Sequence, residues 1–213
     1  MQKRTYLGLG LGLLLMGLSG SGQAQAAPPA PAAGGQQPPP ARVPNDFDGN
    51  GVSDLLLYNH ATGEVRIGYL DTKGTLSWVS LTTGVPPDTI KAVADFNGDG
   101  RADILLHDHT TGALTLWLMG APGKAQVVPV TGSQGPIKLK QGWHVGGTGD
   151  FDGDGKADIL VRDDCGTSGI FFMDGATIIT DALLPKLTPA VLWEYVPDPE
   201  ESKPADVLNC PSG

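Results

Sequence analysis

The sequence predicts an all-β protein assembled from repeated four-stranded antiparallel units. Three observations carry this. A nine-residue loop occurs three times, as Asp46-Phe47-Asp48-Gly49-Asn50-Gly51-Val52-Ser53-Asp54, Asp95-Phe96-Asn97-Gly98-Asp99-Gly100-Arg101-Ala102-Asp103 and Asp150-Phe151-Asp152-Gly153-Asp154-Gly155-Lys156-Ala157-Asp158. Each copy runs straight into an apolar strand: Leu55-Leu56-Leu57, Ile104-Leu105-Leu106 and Ile159-Leu160-Val161. The copies start at 46, 95 and 150, so the periods are 95 − 46 = 49 and 150 − 95 = 55 residues. Periods of that length mark a solenoid or propeller unit.

The rest of each unit repeats as well. A strand-turn-strand passage recurs as Asn59-His60-Ala61-Thr62-Gly63-Glu64-Val65 and Asp108-His109-Thr110-Thr111-Gly112-Ala113-Leu114, with a looser version at Asp164–Ile170. A further strand follows each, over 75–81, 126–130 and 177–184. Four short strands with glycine-rich turns make one β-propeller blade. The sequence therefore holds three full units. A degraded fourth begins at Asp198, where oxygens persist at Asp198, Glu200, Ser202 and Asp206 but Glu201 and Lys203 replace both glycines. That copy is expected to bind no ion. The first unit lacks an evident leading strand, and an extra one, Val191–Val196, lies near the C-terminus.

The loop chemistry points to a hard cation. Oxygen-bearing side chains occupy positions 1, 3, 5 and 9, and calcium takes six to eight oxygens at about 2.3–2.6 Å. Position 7 can add its backbone carbonyl. Glycines at positions 4 and 6 permit the positive φ that a chain curling around an ion requires. Two carboxylates about 4 Å apart repel by roughly 4 kcal/mol at an effective dielectric near 20, which a divalent ion removes. An EF-hand is excluded, because position 12 is Leu57, Leu106 or Val161 instead of a bidentate glutamate, and the flanks read as strands. One such stretch could be a polar turn; three with the same ligand positions and the same following strand are hard to read that way.

These loops, the Ala-Asp-Ile-Leu strand entry and the Thr-Gly turn before Leu114–Met119 resemble the FG-GAP and VCBS-type repeats, best known from the β-propeller of integrin α-subunits. The resemblance covers about 46–208. It implies calcium ligands at Asp46, Asp48, Asn50 and Asp54, at Asp95, Asn97, Asp99 and Asp103, and at Asp150, Asp152, Asp154 and Asp158. The carbonyl position falls on Val52, Arg101 and Lys156. About three ions are implied. Integrin propellers close with seven blades, so blade number is where this chain departs.

The N-terminus reads as an export signal over residues 1–26. Lys3 and Arg4 precede an apolar run from Leu7 to Leu18, and Ala24-Gln25-Ala26 offers a small-x-small cleavage site. The run is too short for a stable membrane span. Residues 27–43, rich in Pro, Ala and Gly, form a linker, and 44–213 form the repeat domain. A secreted or periplasmic location follows. The chain has 14 basic and 23 acidic residues, and cleavage would remove Lys3 and Arg4. The resulting 12 − 23 = −11 would fall to −5 with three calcium ions, so the acidity is largely ligand charge. It excludes a nucleic-acid role, which needs a basic face. Cys165 and Cys210, the only cysteines, are expected to pair in an exported chain.

His107, Asp108 and His109 are expected on a turn surface, not at a metal. Trp117, Trp143 and Trp193 are expected in the core, and Arg162, Asp163 and Asp164 in a solvated turn. No nucleophile elbow, His-Glu-x-x-His or phosphate-binding glycine loop occurs, so an enzyme is not expected. The expected role is a binding or adhesion module for an extracellular protein. A glycan-binding lectin is the alternative, and an accessory module of a secreted hydrolase the third reading. An open stack of sheets would expose apolar faces, which favours a homo-oligomer.

Overall fold

A computed structural model describes residues 43–185. The signal segment, most of the linker, strand 191–196, the fourth loop, Trp193 and Cys210 lie outside the described residues. Those described contain strands and turns only. No helix among them is long and apolar enough to cross a membrane.

The first sheet contains β1 (Leu55–Asn59), β2 (Glu64–Leu70) and β3 (Leu76–Thr82), in the order β1-β2-β3. The second contains β4 (Ile90–Ala94), β5 (Asp103–His107), β6 (Leu114–Met119) and β7 (Ala125–Pro129), again in chain order. A two-residue pair, β8 (Thr131–Gly132) and β9 (Gly135–Pro136), follows. The third sheet is the meander β10 (Trp143–Gly149), β11 (Asp158–Asp163), β12 (Ser168–Asp174) and β13 (Thr177–Leu184). All pairings within these meanders are antiparallel; β8 joins β13 in parallel at Thr131 and Thr177.

The second period exceeds the first by 55 − 49 = 6 residues, the length of the β8–β9 hairpin over 131–136. The first sheet has three strands among the described residues because Pro44 and Asn45 form a turn directly before the loop.

The core lies in two seams between stacked sheets, and side-chain parity assigns each residue to one seam. In β5, Ile104 and Leu106 face the first sheet, while Leu105 faces the third. In β6, Trp117 and Met119 face the first sheet, while Leu114 and Leu116 face the third. β5 is therefore buried at every position. Trp117 is in the core as expected, and Trp143 packs partly buried against the second seam. Phe47 and Phe96, at position 2 of their loops, are fully buried, one in each seam.

The Thr-Gly turns clasp the next unit. Gly112 donates to the Asp108 carbonyl and accepts from Leu139 N–H at 2.8 Å; Gly63 donates to the Asn59 carbonyl and accepts from Val85 N–H at 3.0 Å. Gly112 has φ of 75°, and a Cβ there would overlap the Leu139 carbonyl oxygen. Gly112→Ala is therefore expected to cost more than the roughly 1–3 kcal/mol of left-handed strain alone. Gly100→Ala supplies the comparison, having φ of 85° and nothing within 4 Å. Urea unfolding of both variants checks this, and equal losses would contradict the clasp.

Cys165 is disulfide-bonded. The partner expected from the sequence, Cys210, lies outside the described residues.

Candidate metal sites and an interblade cleft

The three loops share one hydrogen-bonding pattern built from their own sequence. The position 1 carboxylate accepts from the amides at positions 4 and 6: Asp46 from Gly49 (2.7 Å) and Gly51 (2.8 Å), Asp95 from Gly98 (2.7 Å) and Gly100 (2.9 Å), Asp150 from Gly153 (2.7 Å) and Gly155 (3.0 Å). Positions 3 and 5 each accept from the amide two residues on, as in Asp152 from Asp154 N–H at 3.1 Å and Asp154 from Lys156 N–H at 2.7 Å. These are successive Asx turns. The glycines at positions 4 and 6 have φ between 76° and 88°, as the curled loop requires.

Position 9 does something the sequence reading did not anticipate. Asp54, Asp103 and Asp158 are 3%, 0% and 0% exposed. One oxygen of each accepts from the position 2 phenylalanine N–H, at 2.8, 3.0 and 2.8 Å. The other accepts from the strand that follows the one this aspartate leads into, from Leu70, Met119 and Met173 N–H, each at 2.8 Å. This aspartate ties loop to strand. Its recurrence before each apolar strand was the available signal.

Carboxylate oxygens of Asp46, Asp48 and Asp54 lie within 4.8 Å of one another, as do those of Asp150, Asp152 and Asp158. Two oxygens on one calcium ion can be no farther apart than about 5 Å, so both groups fit such an ion. In the second loop position 3 is Asn97, so Asp95 and Asp103 lack the third carboxylate. The position 5 carboxylates turn to cations instead: Asp99 to Arg101 at 3.5 Å and Asp154 to Lys156 at 3.6 Å. Burial raises Asp48 and Asp158 above the ordinary carboxylate range despite their amide donors, and nearby aspartates add to it. In Asp103, burial pushes the carboxyl to about 7. Burial disfavours the ionised form of these carboxyls, which a bound cation would favour.

Each loop also reaches back to the one before. Ala102 N–H donates to the Asp46 carbonyl at 2.7 Å, and Ala157 N–H to the Asp95 carbonyl at 2.9 Å. At position 7, assigned above only a backbone carbonyl, Arg101 Nε donates to the Asp48 carbonyl at 3.2 Å. The Lys156 stem lies against Gly98 in the same way.

At the other end of the strands, a cleft of about 460 Å³ opens between the second and third sheets. His107, His109, Thr111, Lys140, Trp143 and His144 line it. The His107 and His109 rings are 4.4 Å apart and those of His109 and His144 6.3 Å. His144 Nε2 donates to Asp164 at 2.8 Å, and His109 Nε2 to the Asp88 carbonyl at 3.1 Å. Sequence spacing does not reveal this grouping, since the third repeat carries no histidine in its turn. Two expectations are corrected. His107 is not on a turn surface; it ends β5, is 2% exposed, and its Nδ1 has no hydrogen-bond partner. Arg162 and Asp163 belong to β11, and Asp163 caps the turn by accepting from Cys165 and Thr167 N–H.

Burial, then the neighbouring His109, lowers the His107 pKa to about 4. The unfolded imidazole titrates near 6.5, so between these values the unfolded chain binds the extra proton. Stability attributable to His107 is complete above pH ~6.5 and is lost as pH falls toward ~4, by about 3 kcal/mol over the interval. His107→Phe keeps a ring and is expected to lose less stability between pH 7 and 4.5. Parallel stability-pH curves for the two proteins would refute this.

Residues 46–106 and 95–161 each match the FG-GAP-like repeat. No curated protein and no solved structure matches the chain. The two matched spans together cover residues 46–161, which is 116 of 213 and more than half. With three equivalent loops and stacked antiparallel sheets, the chain belongs to the FG-GAP-like repeat family.

Proposed function

We propose that this is an exported calcium-binding repeat protein that works by binding an extracellular protein and carries out no catalysis. The observation that carries the reading is the repeated loop, in which carboxylates gather despite their mutual repulsion. Asp46, Asp48 and Asp54 would hold one ion, Asp150, Asp152 and Asp158 another, and Asp95, Asn97 and Asp103 a third. Asn50, Asp99 and Asp154, with the carbonyls of Val52, Arg101 and Lys156, would complete the oxygen shells. Calcium supplies charge neutralisation and rigidity there. A five-residue strand such as β5 spans about 17 Å, so the loops and the Thr-Gly turns occupy opposite ends of each sheet. The cleft at the turn end is thus held by a framework that calcium stiffens, and we assign the partner site to it.

A specific observation supports the glycan reading as second. Trp143 lines a cleft between sheets among Thr111, Lys140 and histidines, an aromatic platform with polar neighbours.

Calorimetric titration of calcium into the metal-stripped protein tests the first reading. About three ions are expected, and no heat of binding would end it. A glycan array separates the partner classes: retention that Trp143→Ala abolishes favours the lectin.

A further inference from the structure

Three of the chain's four histidines meet in the interblade cleft, although they come from two sheets. His107 ends β5, His109 follows it in the turn, and His144 belongs to β10. The preceding unit offers an internal comparison. By distance from the position 9 aspartates, Tyr58 and His60 are the counterparts of His107 and His109. Ile90 pairs with Leu106 and Val145 with Val161, so Thr89 is the counterpart of His144. In that unit the Tyr58 hydroxyl donates to the Val85 carbonyl at 2.7 Å, and its ring stands edge-on to His60 at 4.9 Å. The imidazole of His107 is shorter. It makes no such bond to Leu139, the counterpart of Val85 at the Thr-Gly turn, and its Nδ1 is buried without a hydrogen-bond partner. A buried nitrogen in that state requires an explanation. Beside it, a second histidine stands where the preceding unit has a threonine.

We propose that His107, His109 and His144 bind one divalent transition-metal ion of the zinc class between the second and third sheets. Imidazole suits zinc, copper and nickel, whereas calcium takes oxygen. His109 and His144 already make the outer contacts such ligands use. His109 Nε2 donates to the Asp88 carbonyl at 3.1 Å and His144 Nε2 to the Asp164 carboxylate at 2.8 Å, which leaves the Nδ1 lone pair of each for a metal. Metal-bound histidines donate their other N–H to a carbonyl or carboxylate in this way. Two imidazoles on one zinc ion, at about 2.0–2.1 Å and a tetrahedral angle, set their ring centroids about 5 Å apart. The separations here, 4.4 Å and 6.3 Å, bracket that spacing. The three nitrogens do not all lie within 4.8 Å of one another, as the aspartate oxygens do. Closure therefore takes a small turn of His109, which is exposed, and of His144, which is half-buried, and the cleft gives both rings room. Three protein ligands leave a fourth position open toward the cleft, as in zinc sites that hold a water there. The inference is independent of the calcium loops, at the other end of the strands, and of the partner assigned to the cleft.

Calorimetric titration of Zn²⁺ into the untagged protein, with calcium in excess to occupy the loops, tests it. One zinc ion per chain is expected at the cleft. His109→Ala and His144→Ala are each expected to weaken that binding by at least about tenfold, and Asp164→Ala, which removes an outer contact, by about tenfold. His60→Ala, in the equivalent turn of the preceding unit, should leave it unchanged. Co²⁺ in place of zinc is expected to show the intense visible absorption of a tetrahedral site, which oxygen-lined loops do not give. His109 is exposed, so its variant keeps the test valid should His144→Ala impair folding, which circular dichroism reports. Absence of zinc binding overturns the inference. So does binding that His109→Ala leaves untouched, which would put the ion on the aspartate loops, or binding that His60→Ala weakens equally, which would mean scattered surface histidines.

Discussion

Removing calcium is expected to cost this protein up to about 8 kcal/mol of stability. At free calcium about 100 times the dissociation constant, one site contributes roughly 2.7 kcal/mol, and three independent sites contribute about 8. A whole domain has about 5–15, so the chelated protein sits near the edge of folding. The structure supplies the mechanism. Amide donors hold each loop in shape, but they do not neutralise it, and burial keeps Asp48, Asp103 and Asp158 above their ordinary carboxylate range. The buried position 1 aspartates, Asp46 and Asp95, also stand at the seams, where their carbonyls accept from the next loop. Loss of the ion therefore loosens the contact between sheets as well as the loop. Thermal melts in excess calcium and in chelator check this, and coincident curves would eliminate the calcium reading.

Most of the fold was legible because repetition writes the same constraint several times. Asp103 to Leu106 could be placed on a strand because Asp54–Leu57 and Asp158–Val161 say the same. β6 was delimited correctly as Leu114–Met119, and β13 as Thr177–Leu184. β3 and β7 were each displaced by one residue, since their mixed composition, as in Leu76-Ser77-Trp78, gives a weak period at the ends. The acidic clusters of the first and third loops were legible, because carboxylates at alternate positions between glycines are brought together when the loop curls. Roles that join different units were not. Arg101 reads as a surface cation until its guanidinium meets the Asp48 carbonyl. The grouping of His107, His109 and His144 depends on how two sheets stack, which no local spacing encodes. His107 was misplaced because the two polar residues that follow it, Asp108 and His109, gave it the look of a turn, whereas it ends a strand buried on both faces.

The second large effect belongs to Asp103. Asp103→Ala is expected to cost about 3–5 kcal/mol, because Phe96 and Met119 N–H both lose their acceptor in a fully buried place, and each unpaired donor costs about 1–3 kcal/mol. Asp103→Asn keeps the shape and one acceptor but sets its NH₂ against the other donor, so its loss falls between. In chelator, Asp99→Ala is the control: its pairing with Arg101 is partly exposed, and it should cost under about 1 kcal/mol there. A pH signature separates charge from hydrogen bonding. The folded carboxyl titrates near 7, well above the unfolded value near 3.9. In chelator the folded state therefore holds the extra proton between these values, and the stability it brings is complete below about pH 4 and lost as pH rises toward 7. Asparagine has no such dependence, so the advantage of the natural residue over Asp103→Asn should shrink as pH rises from 5 to 8 without calcium. In excess calcium the cation favours the ionised carboxylate, and the shrinkage should disappear. Urea unfolding of the natural protein and of Asp103→Asn under the four conditions decides it. An advantage that ignores pH in chelator would mean the amide donors outweigh burial at this site, leaving the aspartate as a pure hydrogen-bonding tie.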